Sequence, residues 1–101
     1  MRLNLKATNL ELTNAIKDQV QDKLGSLDKY FNNIQQLDVE VGMTTTNQQN
    51  GQIYFCEVNL SVPKKLLRFR KEFNELTKAI NEAKKGIQRE IVKYKEHILD
   101  K

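Results

Sequence analysis

The sequence contains very little cysteine, histidine or proline. Cys56 and His97 are each the only residue of their type, which excludes a disulfide within the chain and a metal site made only of Cys and His side chains. No stretch approaches the roughly 18 uncharged apolar residues of a membrane span. The opening segment MRLNLKATNLEL also lacks the uninterrupted apolar run of a secretion signal. We therefore expect a cytoplasmic protein in reducing surroundings, with no membrane partner.

Alternation of apolar and polar residues, the pattern of a half-buried strand, occurs three times. A fourth strand is predicted at a sheet edge, where basic side chains discourage pairing with another chain. Pro63 ends the third strand because proline supplies no N–H to a ladder, and Asn50-Gly51 before that strand favours a tight hairpin turn. The four segments are RLNLKA (2–7), LDVEVGM (37–43), QIYFCEVNLSV (52–62) and KLLRFRK (65–71).

Two further segments have apolar residues three or four positions apart, which predicts amphipathic helices. Thr13 can cap the first helix. Gly25 is expected to mark a bend in it, because glycine weakens a helix by about 1 kcal/mol relative to alanine. The second helix is predicted from about Asn74 toward the C-terminus. The inward-facing residues are expected to be Ile16, Val20, Leu24, Leu27 and Phe31 in the first helix, and Leu76, Ile80, Ala83, Ile87, Ile91, Tyr94 and Ile98 in the second.

The predicted order βαβββα defines an α+β two-layer fold. With 101 residues, 39 % of them hydrophobic, we expect a single domain over residues 1–101 with a modest core. The first connection is long enough for a right-handed parallel crossover, and the later strands are joined by turns that suit antiparallel pairs. The sequence therefore predicts a four-stranded mixed sheet with two helices on one face.

No segment has the pattern of a catalytic or cofactor site. Cys56 falls on the inward side of a predicted strand, where a small buried hydrophobe is usual, and His97 lies near a helix end, where a cation favours the dipole. Asp38 and Glu40 fit solvated carboxylates of a sheet, and the four glycines form no phosphate-binding loop. We therefore expect neither enzyme activity nor a cofactor.

The net charge of +4 is distributed unevenly along the chain. Residues 1–63 contain 5 Lys/Arg and 7 Asp/Glu, whereas residues 64–101 contain 12 and 6. At 100° per residue, four cations of the second helix lie about 140° to 220° from Ile80, opposite its apolar stripe. We call these four and one cation on their flank the basic ridge: Lys78, Lys85, Arg89, Lys93 and the flanking Lys95.

A second group of cations lies in the segment KKLLRFRK, residues 64–71. Charged residues on an exposed face are most often merely solvated, but two basic groups in one small domain favour a nucleic-acid partner. RNA is favoured over duplex DNA because no helix-turn-helix context is evident, and RNA-binding modules often combine α+β sheets with basic helices. The second group comprises Lys64, Lys65, Arg68, Arg70 and Lys71.

Three segments resemble one known family. MRLNLKATNLELT resembles a first strand and helix cap, DKLGSLDKYF a lysine-leucine run ending in Tyr-Phe, and AINEAKKGIQREIVKYK a last helix. The family is that of the ribosome hibernation promoting factors and ribosome-associated inhibitors, also described as sigma-factor modulation proteins. The resemblance covers essentially the whole chain. It implies a mixed four-stranded sheet with two helices on one face, similar to double-stranded RNA binding domains.

The function implied by the resemblance is inhibition of translation. Such a factor binds the small ribosomal subunit and its ribosomal RNA at the decoding channel, overlaps messenger and transfer RNA, and silences ribosomes under stress or in stationary phase. By matched position, Lys23, Arg89, Lys93 and Lys95 would contact the ribosomal RNA. The chain resembles the short class, which lacks a C-terminal dimerisation domain. We expect a monomer away from the ribosome, and a separate ribosome-dimerising factor remains open as a partner.

The sequence departs from the family pattern at three sites. Glu75-Leu76-Thr77 stands where the family usually has Asp-Met-Tyr, and Gly86 and Ser26 each stand where the family has a lysine. Lys85, next to Gly86, is the expected substitute for one of these lysines. The additional cations of KKLLRFRK are expected to offset the losses or to shift the contact surface.

Two alternatives to a ribosome-bound inhibitor stay open. One is a general module that binds structured RNA. The other is a protein-interaction domain that uses the open face of the sheet, where Ile53 and Phe55 are expected as exposed apolar residues. Sedimentation with small subunits, with free structured RNA and without RNA distinguishes the three hypotheses.

Overall fold

The computed structural model describes residues 1–44 and 51–99, and within them it has the predicted strand and helix order. The first predicted helix is divided in two, so that three helices are present in this part of the chain. The strands are β1 (Arg2–Thr8), β2 (Gln36–Met43), β3 (Tyr54–Val62) and β4 (Lys65–Phe73), and the helices are α1 (Asn14–Leu24), α2 (Leu27–Tyr30) and α3 (Leu76–Leu99).

The four strands form one mixed sheet in the order β1-β2-β3-β4. β1 and β2 are parallel, as the crossover through α1 predicts, and the other two pairs are antiparallel. The register places Leu5 opposite Val39, Val39 opposite Val58, and Val58 opposite Phe69. These side chains form one row across the helix-covered face. β4 lies at a sheet edge, as predicted.

Only residue 44 and residues 51–53 of the connection between β2 and β3 are among the described residues. The Thr44 N–H donates to the Ile53 carbonyl at 2.9 Å, which continues the antiparallel pairing beyond the strands. Gly51 has a φ of +80°, a left-handed conformation that favours glycine. Asn50, the other residue of the predicted turn, lies outside the described residues.

Local capping determines the ends of α1. The Thr13 hydroxyl oxygen accepts a hydrogen bond from the Ile16 N–H at 3.2 Å, which confirms the predicted N-cap. The helix ends at Gly25, whose N–H donates to the Gln21 carbonyl at 3.0 Å. The chain then turns into α2, so the bend predicted at Gly25 is confirmed.

The apolar stripe of α3 covers the sheet, mainly over β4 and β3. Ile80, Ile87 and Ile91 have no exposed surface, as predicted. Ile98 was expected in the same stripe but is 48 % exposed, so that prediction is wrong. The physical reason is length: the 24 residues of α3 extend about 36 Å, whereas a nine-residue strand extends about 30 Å.

Phe55 lies on the face of the sheet away from the helices, but it is not exposed as the sequence suggested. Only 5 % of its surface is accessible. Its ring covers Gly42, where a Cβ atom would lie 2.8 Å from the ring, and the Arg70 guanidinium lies 4.1 Å from the ring centroid. The open face therefore has its own small apolar contact, and Ile53 nearby is half-buried.

Among the described residues, no helix is long and apolar enough to cross a membrane.

Candidate nucleic-acid interface

The basic ridge lies on the outer side of α3, as the helical spacing predicts. Lys78, Lys85 and Lys93 expose between 59 % and 74 % of their side chains. Arg89 is also exposed, and Lys95 at the flank is half-buried. Because the stripe of Ile80, Ile87 and Ile91 fixes the rotation of α3 on the sheet, these cations point into solvent.

Three of the ridge lysines are paired with glutamates three positions earlier, two of them within α3 and one, Glu75, directly before it. Lys78 lies 3.1 Å from Glu75, Lys85 lies 3.3 Å from Glu82, and Lys93 lies 3.4 Å from Glu90. Exposed ion pairs of this kind contribute only about 0 to 1 kcal/mol. A phosphate group can therefore replace each carboxylate at low cost.

Arg89 and Lys95 differ from the other ridge residues because neither forms an ion pair within residues 1–44 and 51–99. Arg89 instead lies near an aromatic ring, with its Cζ 6.0 Å from the centroid of Phe69. Lys95 Nζ lies 5.4 Å from the ring centroid of Tyr30 and 5.6 Å from that of Phe31. Both cations keep their hydrogen-bond donors available for a new acceptor.

Gly86 lets β4 approach α3 beneath Arg89. It is buried, and a Cβ atom at this position would overlap the ring of Phe69. The lysine that the family pattern has at this position would meet the same ring. The departure from the family pattern at Gly86 thus accompanies a bulky neighbour on β4.

The other two departures from the family pattern take part in local hydrogen bonds. Gln19 Nε2 donates to the Thr77 hydroxyl oxygen at 2.9 Å, which links α1 to the start of α3. The Ser26 hydroxyl donates to the Lys23 carbonyl at 3.1 Å, in the turn after α1. Lys23 itself is half-buried in the last turn of α1.

The second group of cations does not form one surface, because side chains alternate along β4. Arg68 and Arg70 lie on the open face, 3.1 Å and 3.7 Å from Glu57. Lys71 occupies a position on the helix side, with its Nζ 5.8 Å from the Phe73 ring centroid. Lys64 lies in the turn before β4 and Lys65 is the first residue of that strand, and both line a groove together with Tyr94 and His97. The group is therefore divided among three places.

Burial and neighbouring charges shift the pKa of two adjacent residues of β3, Glu57 and Cys56. Burial raises the pKa of Glu57, but hydrogen bonds from Asn59 and Arg68 and the charges of Arg68 and Arg70 outweigh it, so the pKa is lower than its ordinary value. Burial, with the nearby Glu57 charge, raises the pKa of the Cys56 thiol to about 12. A buried thiol with so little thiolate is not a nucleophile at neutral pH. Within the described residues, no cluster of three or more His, Cys, Asp or Glu side chains could hold a metal ion.

Some neighbours of the ridge were missed by the sequence analysis. The Glu-Lys pairs could have been found, because the two residues of each pair are three positions apart within α3 or, for Glu75 and Lys78, across its start. The rings of Tyr30 and Phe69 could not, because they reach α3 from other elements.

The fold and the ridge define a small α+β domain with a basic helix face. The family model described as Sigma 54 modulation protein / S30EA ribosomal protein matches residues 3–98. The chain belongs to this family, which confirms the resemblance found in the sequence.

Two curated relatives have the same name. The ribosome hibernation promotion factor of Lactococcus lactis subsp. cremoris (strain MG1363) is 30 % identical over 95 residues, which cover 94 % of this chain and 50 % of that protein. The factor of the same name from Bacillus subtilis (strain 168) is also 30 % identical over 95 residues, covering 94 % of this chain and 49 % of that protein. The chain thus spans about half the length of these relatives.

Solved structures confirm the architecture. The N-terminal domain of Protein Y from Thermus thermophilus has a TM-score of 0.73 and 28 % identity, covering 93 % of this chain and 99 % of that one. A ribosomal subunit interface protein from Coxiella burnetii has a TM-score of 0.81, covering 95 % and 99 % of the two chains. Its identity of 14 % supports the fold alone.

Proposed function

We propose that this chain is a cytoplasmic ribosome hibernation factor. It binds the small ribosomal subunit through ribosomal RNA at the decoding channel, excludes messenger and transfer RNA, and inhibits translation. Family membership and the names of the two curated relatives support this function. The observation that carries the proposal is the exposed basic ridge, because it supplies a surface for RNA on the outer side of the domain.

The dimensions of the ridge suit an RNA backbone. From Lys78 to Lys95 the helix axis advances about 26 Å, and from Lys85 to Lys93 about 12 Å. Cations along such a length can neutralise several phosphates. Structured RNA is recognised mainly through its shape and its phosphates, so a rigid row of cations on a helix fits this type of partner.

The ridge cations differ in how readily they can bind a phosphate, because three of them already form ion pairs with glutamates. Arg89 is exposed and free of a carboxylate within the described residues, and its guanidinium can donate two parallel hydrogen bonds to one phosphate. We therefore expect Arg89 to contribute most. Lys78, Lys85 and Lys93 must first exchange a glutamate for a phosphate.

Cations outside the ridge divide into two sets. Lys23, Lys64 and Lys65 remain proposed RNA contacts, as does Lys71 on the helix side of β4. Arg68 and Arg70 lie on the opposite side of the domain from the ridge and are already paired with Glu57. A single RNA surface that meets the ridge does not reach them, so we leave these two arginines out of the proposed interface.

Charge reversal of the ridge tests the proposal. The variant carrying Arg89→Glu, Lys93→Glu and Lys95→Glu should lose binding to purified small subunits and inhibition of cell-free translation, because attraction to phosphate becomes repulsion. The domain should still fold, since these side chains lie outside the core. Cosedimentation measures binding, and circular dichroism checks the fold.

A matched control changes the net charge by the same amount elsewhere. Lys6→Glu, Lys17→Glu and Lys29→Glu together alter three exposed lysines on β1, α1 and α2. This variant should bind and inhibit far better than the ridge variant. A folded ridge variant that inhibits as well as the natural protein refutes the proposal, and equal losses in both variants show that only net charge matters.

Free structured RNA separates the proposal from general RNA binding. A hibernation factor should bind small subunits more tightly than an unrelated structured RNA at the same salt concentration. Equal affinities for the two would favour the general module.

A further inference from the structure

We infer that Tyr30 and Phe31 position the ammonium group of Lys95 for its contact with RNA. This inference deepens the proposed function and rests on it. It assigns a role to two aromatic residues that do not belong to the basic ridge and that reach it from the chain segment at the end of α2.

The geometry around Lys95 is that of a cation held by aromatic faces. Its Nζ lies 5.4 Å from the ring centroid of Tyr30 and 5.6 Å from that of Phe31. Both distances are within the roughly 6 Å at which a ring quadrupole attracts a cation. Lys93 on the same helix instead extends into solvent and pairs with Glu90. The two rings thus orient Lys95 without accepting hydrogen bonds from its ammonium group as a carboxylate would. A phosphate can therefore bind Lys95 without first displacing an anionic partner.

The rings are fixed by contacts with the rest of the domain. Phe31 packs edge-to-face against Tyr94, with the centroids 5.9 Å apart and the planes at 81°. The Tyr94 hydroxyl donates to the Pro63 carbonyl at 2.8 Å, which ties this aromatic pair to the end of β3. The support under Lys95 therefore has a defined position relative to the ridge.

Fixing Lys95 has an energetic consequence for binding. A lysine side chain loses rotamer freedom when its ammonium group meets a phosphate. A side chain that is already oriented in the free protein loses less, so the contact is stronger. Tyr30 is 42 % exposed and lies outside the hydrophobic core, so its ring can be removed without disturbing the fold.

Four variants test the inference: Tyr30→Leu, Tyr30→Phe, Lys95→Met, and Tyr30→Leu combined with Lys95→Met. Tyr30→Leu should weaken binding to purified small subunits about two- to fivefold, as expected for an exposed cation–π contact. Tyr30→Phe keeps the ring and should bind like the natural protein. In the Lys95→Met background, Tyr30→Leu should have no further effect, because its action passes through Lys95.

A measurement without ribosomes checks the same contact. Ring currents should shift the Lys95 ε-methylene proton resonances upfield relative to those of Lys93 in the free protein. Tyr30→Leu should reduce that shift, and Tyr30→Phe should keep it.

Three results would overturn the inference. The first is a Tyr30→Leu variant that binds like the natural protein, and the second is the absence of an upfield shift at Lys95. The third is an equal loss from Tyr30→Leu with and without Lys95, which would show that the ring touches RNA directly. Failure of the proposed function looks different, because then the ridge charge-reversal variant would itself bind and inhibit normally.

Discussion

Glu57 shows how a single carboxylate organises the open face of the sheet. Only 14 % of its side chain is exposed, and it lies 3.1 Å from Arg68 and 3.7 Å from Arg70. Asn59 also donates to it, at 3.2 Å. Since these partners lower its pKa, Glu57 stabilises the folded state as an anion.

Replacement of Glu57 by glutamine should flatten the acid dependence of stability. A carboxylate with a lowered pKa in the folded state contributes stability above its ordinary pKa, and this contribution is lost as the pH falls through the lower folded value. The free energy of unfolding of the natural protein should therefore decline more steeply with falling pH, below about pH 4.5, than that of Glu57→Gln. Urea unfolding between about pH 3 and pH 7 measures this difference.

Glu72→Gln is the control for that experiment. Glu72 also pairs with Arg70, but 49 % of its side chain is exposed. Its substitution should change the pH profile less, because exposed pairs contribute little. Parallel pH profiles for Glu57→Gln and the natural protein would contradict the role assigned to Glu57.

The ring of Phe69 leaves no room for a side chain at position 86. This explanation can be tested, because the effect of Gly86→Ala on stability should change sign when the ring is removed. Alanine normally stabilises a helix by up to about 1 kcal/mol relative to glycine. At this site its Cβ atom would overlap the ring, and overpacking costs about 1 to 3 kcal/mol. We therefore expect Gly86→Ala to lower the free energy of unfolding, measured by chemical denaturation.

The same substitution should become stabilising when the ring is absent. Phe69→Val removes the ring atoms that meet position 86 while keeping a residue suited to a strand. In that background, Gly86→Ala should raise the free energy of unfolding by up to about 1 kcal/mol. The same destabilisation with and without the ring would refute the steric explanation.

At the scale of elements, α3 combines two functions on opposite sides. One side buries an isoleucine stripe against the sheet, and the other exposes the basic ridge. The first side fixes the rotation of the helix, and therefore the direction in which the cations point. Packing and binding can thus be changed separately by substitutions on the two sides.

Ile87→Ala tests the packing of α3 on the sheet. Ile87 is fully buried in the core, so the truncation should cost about 2 to 5 kcal/mol of unfolding free energy. Val92→Ala is the control, because Val92 lies on the same helix and is 38 % exposed, and its change should stay within about 0.5 kcal/mol. A cost well under 1 kcal/mol for Ile87→Ala would contradict the packing.

At the scale of the whole molecule, the cations of the basic C-terminal half are divided between two sides of the domain. The basic residues 64–101 include β4 and α3, and these two elements pack directly against each other. The slightly acidic residues 1–63 supply the other three strands, α1 and α2. The basic ridge of α3 and Lys71 of β4 therefore lie on the side proposed to meet RNA, whereas Arg68 and Arg70 of β4 lie on the opposite side.

The salt dependence of binding reports how many phosphates this side neutralises. With about four to six cations engaged, the logarithm of the association constant for small subunits should fall with the logarithm of salt concentration with a slope of about −3 to −5. Arg89→Gln should make the slope less steep by about 1, whereas Lys17→Gln should leave it unchanged. A slope near zero would favour the protein-interaction alternative.

The sequence by itself determined the elements, their order and the direction of the ridge. Strand and helix periods are local properties, so the alternation in β2 and the three- and four-residue spacing in α3 were sufficient to predict them. Once the apolar stripe of α3 was known, the helical rotation of 100° per residue placed Arg89 on the outer side of the helix. The core residues Leu37, Val58 and Ile87 followed from the same patterns, and all three are buried.

Only the tertiary structure decided which side chains from different elements meet. The register of β4 against β3 pairs Arg68 and Arg70 with Glu57 and so removes them from the ridge side. Packing of α3 on β4 places Phe69 against Gly86, and the end of α2 brings Tyr30 to Lys95. These contacts join residues that are far apart along the chain, and their distances depend on strand register and helix position, which no local period encodes.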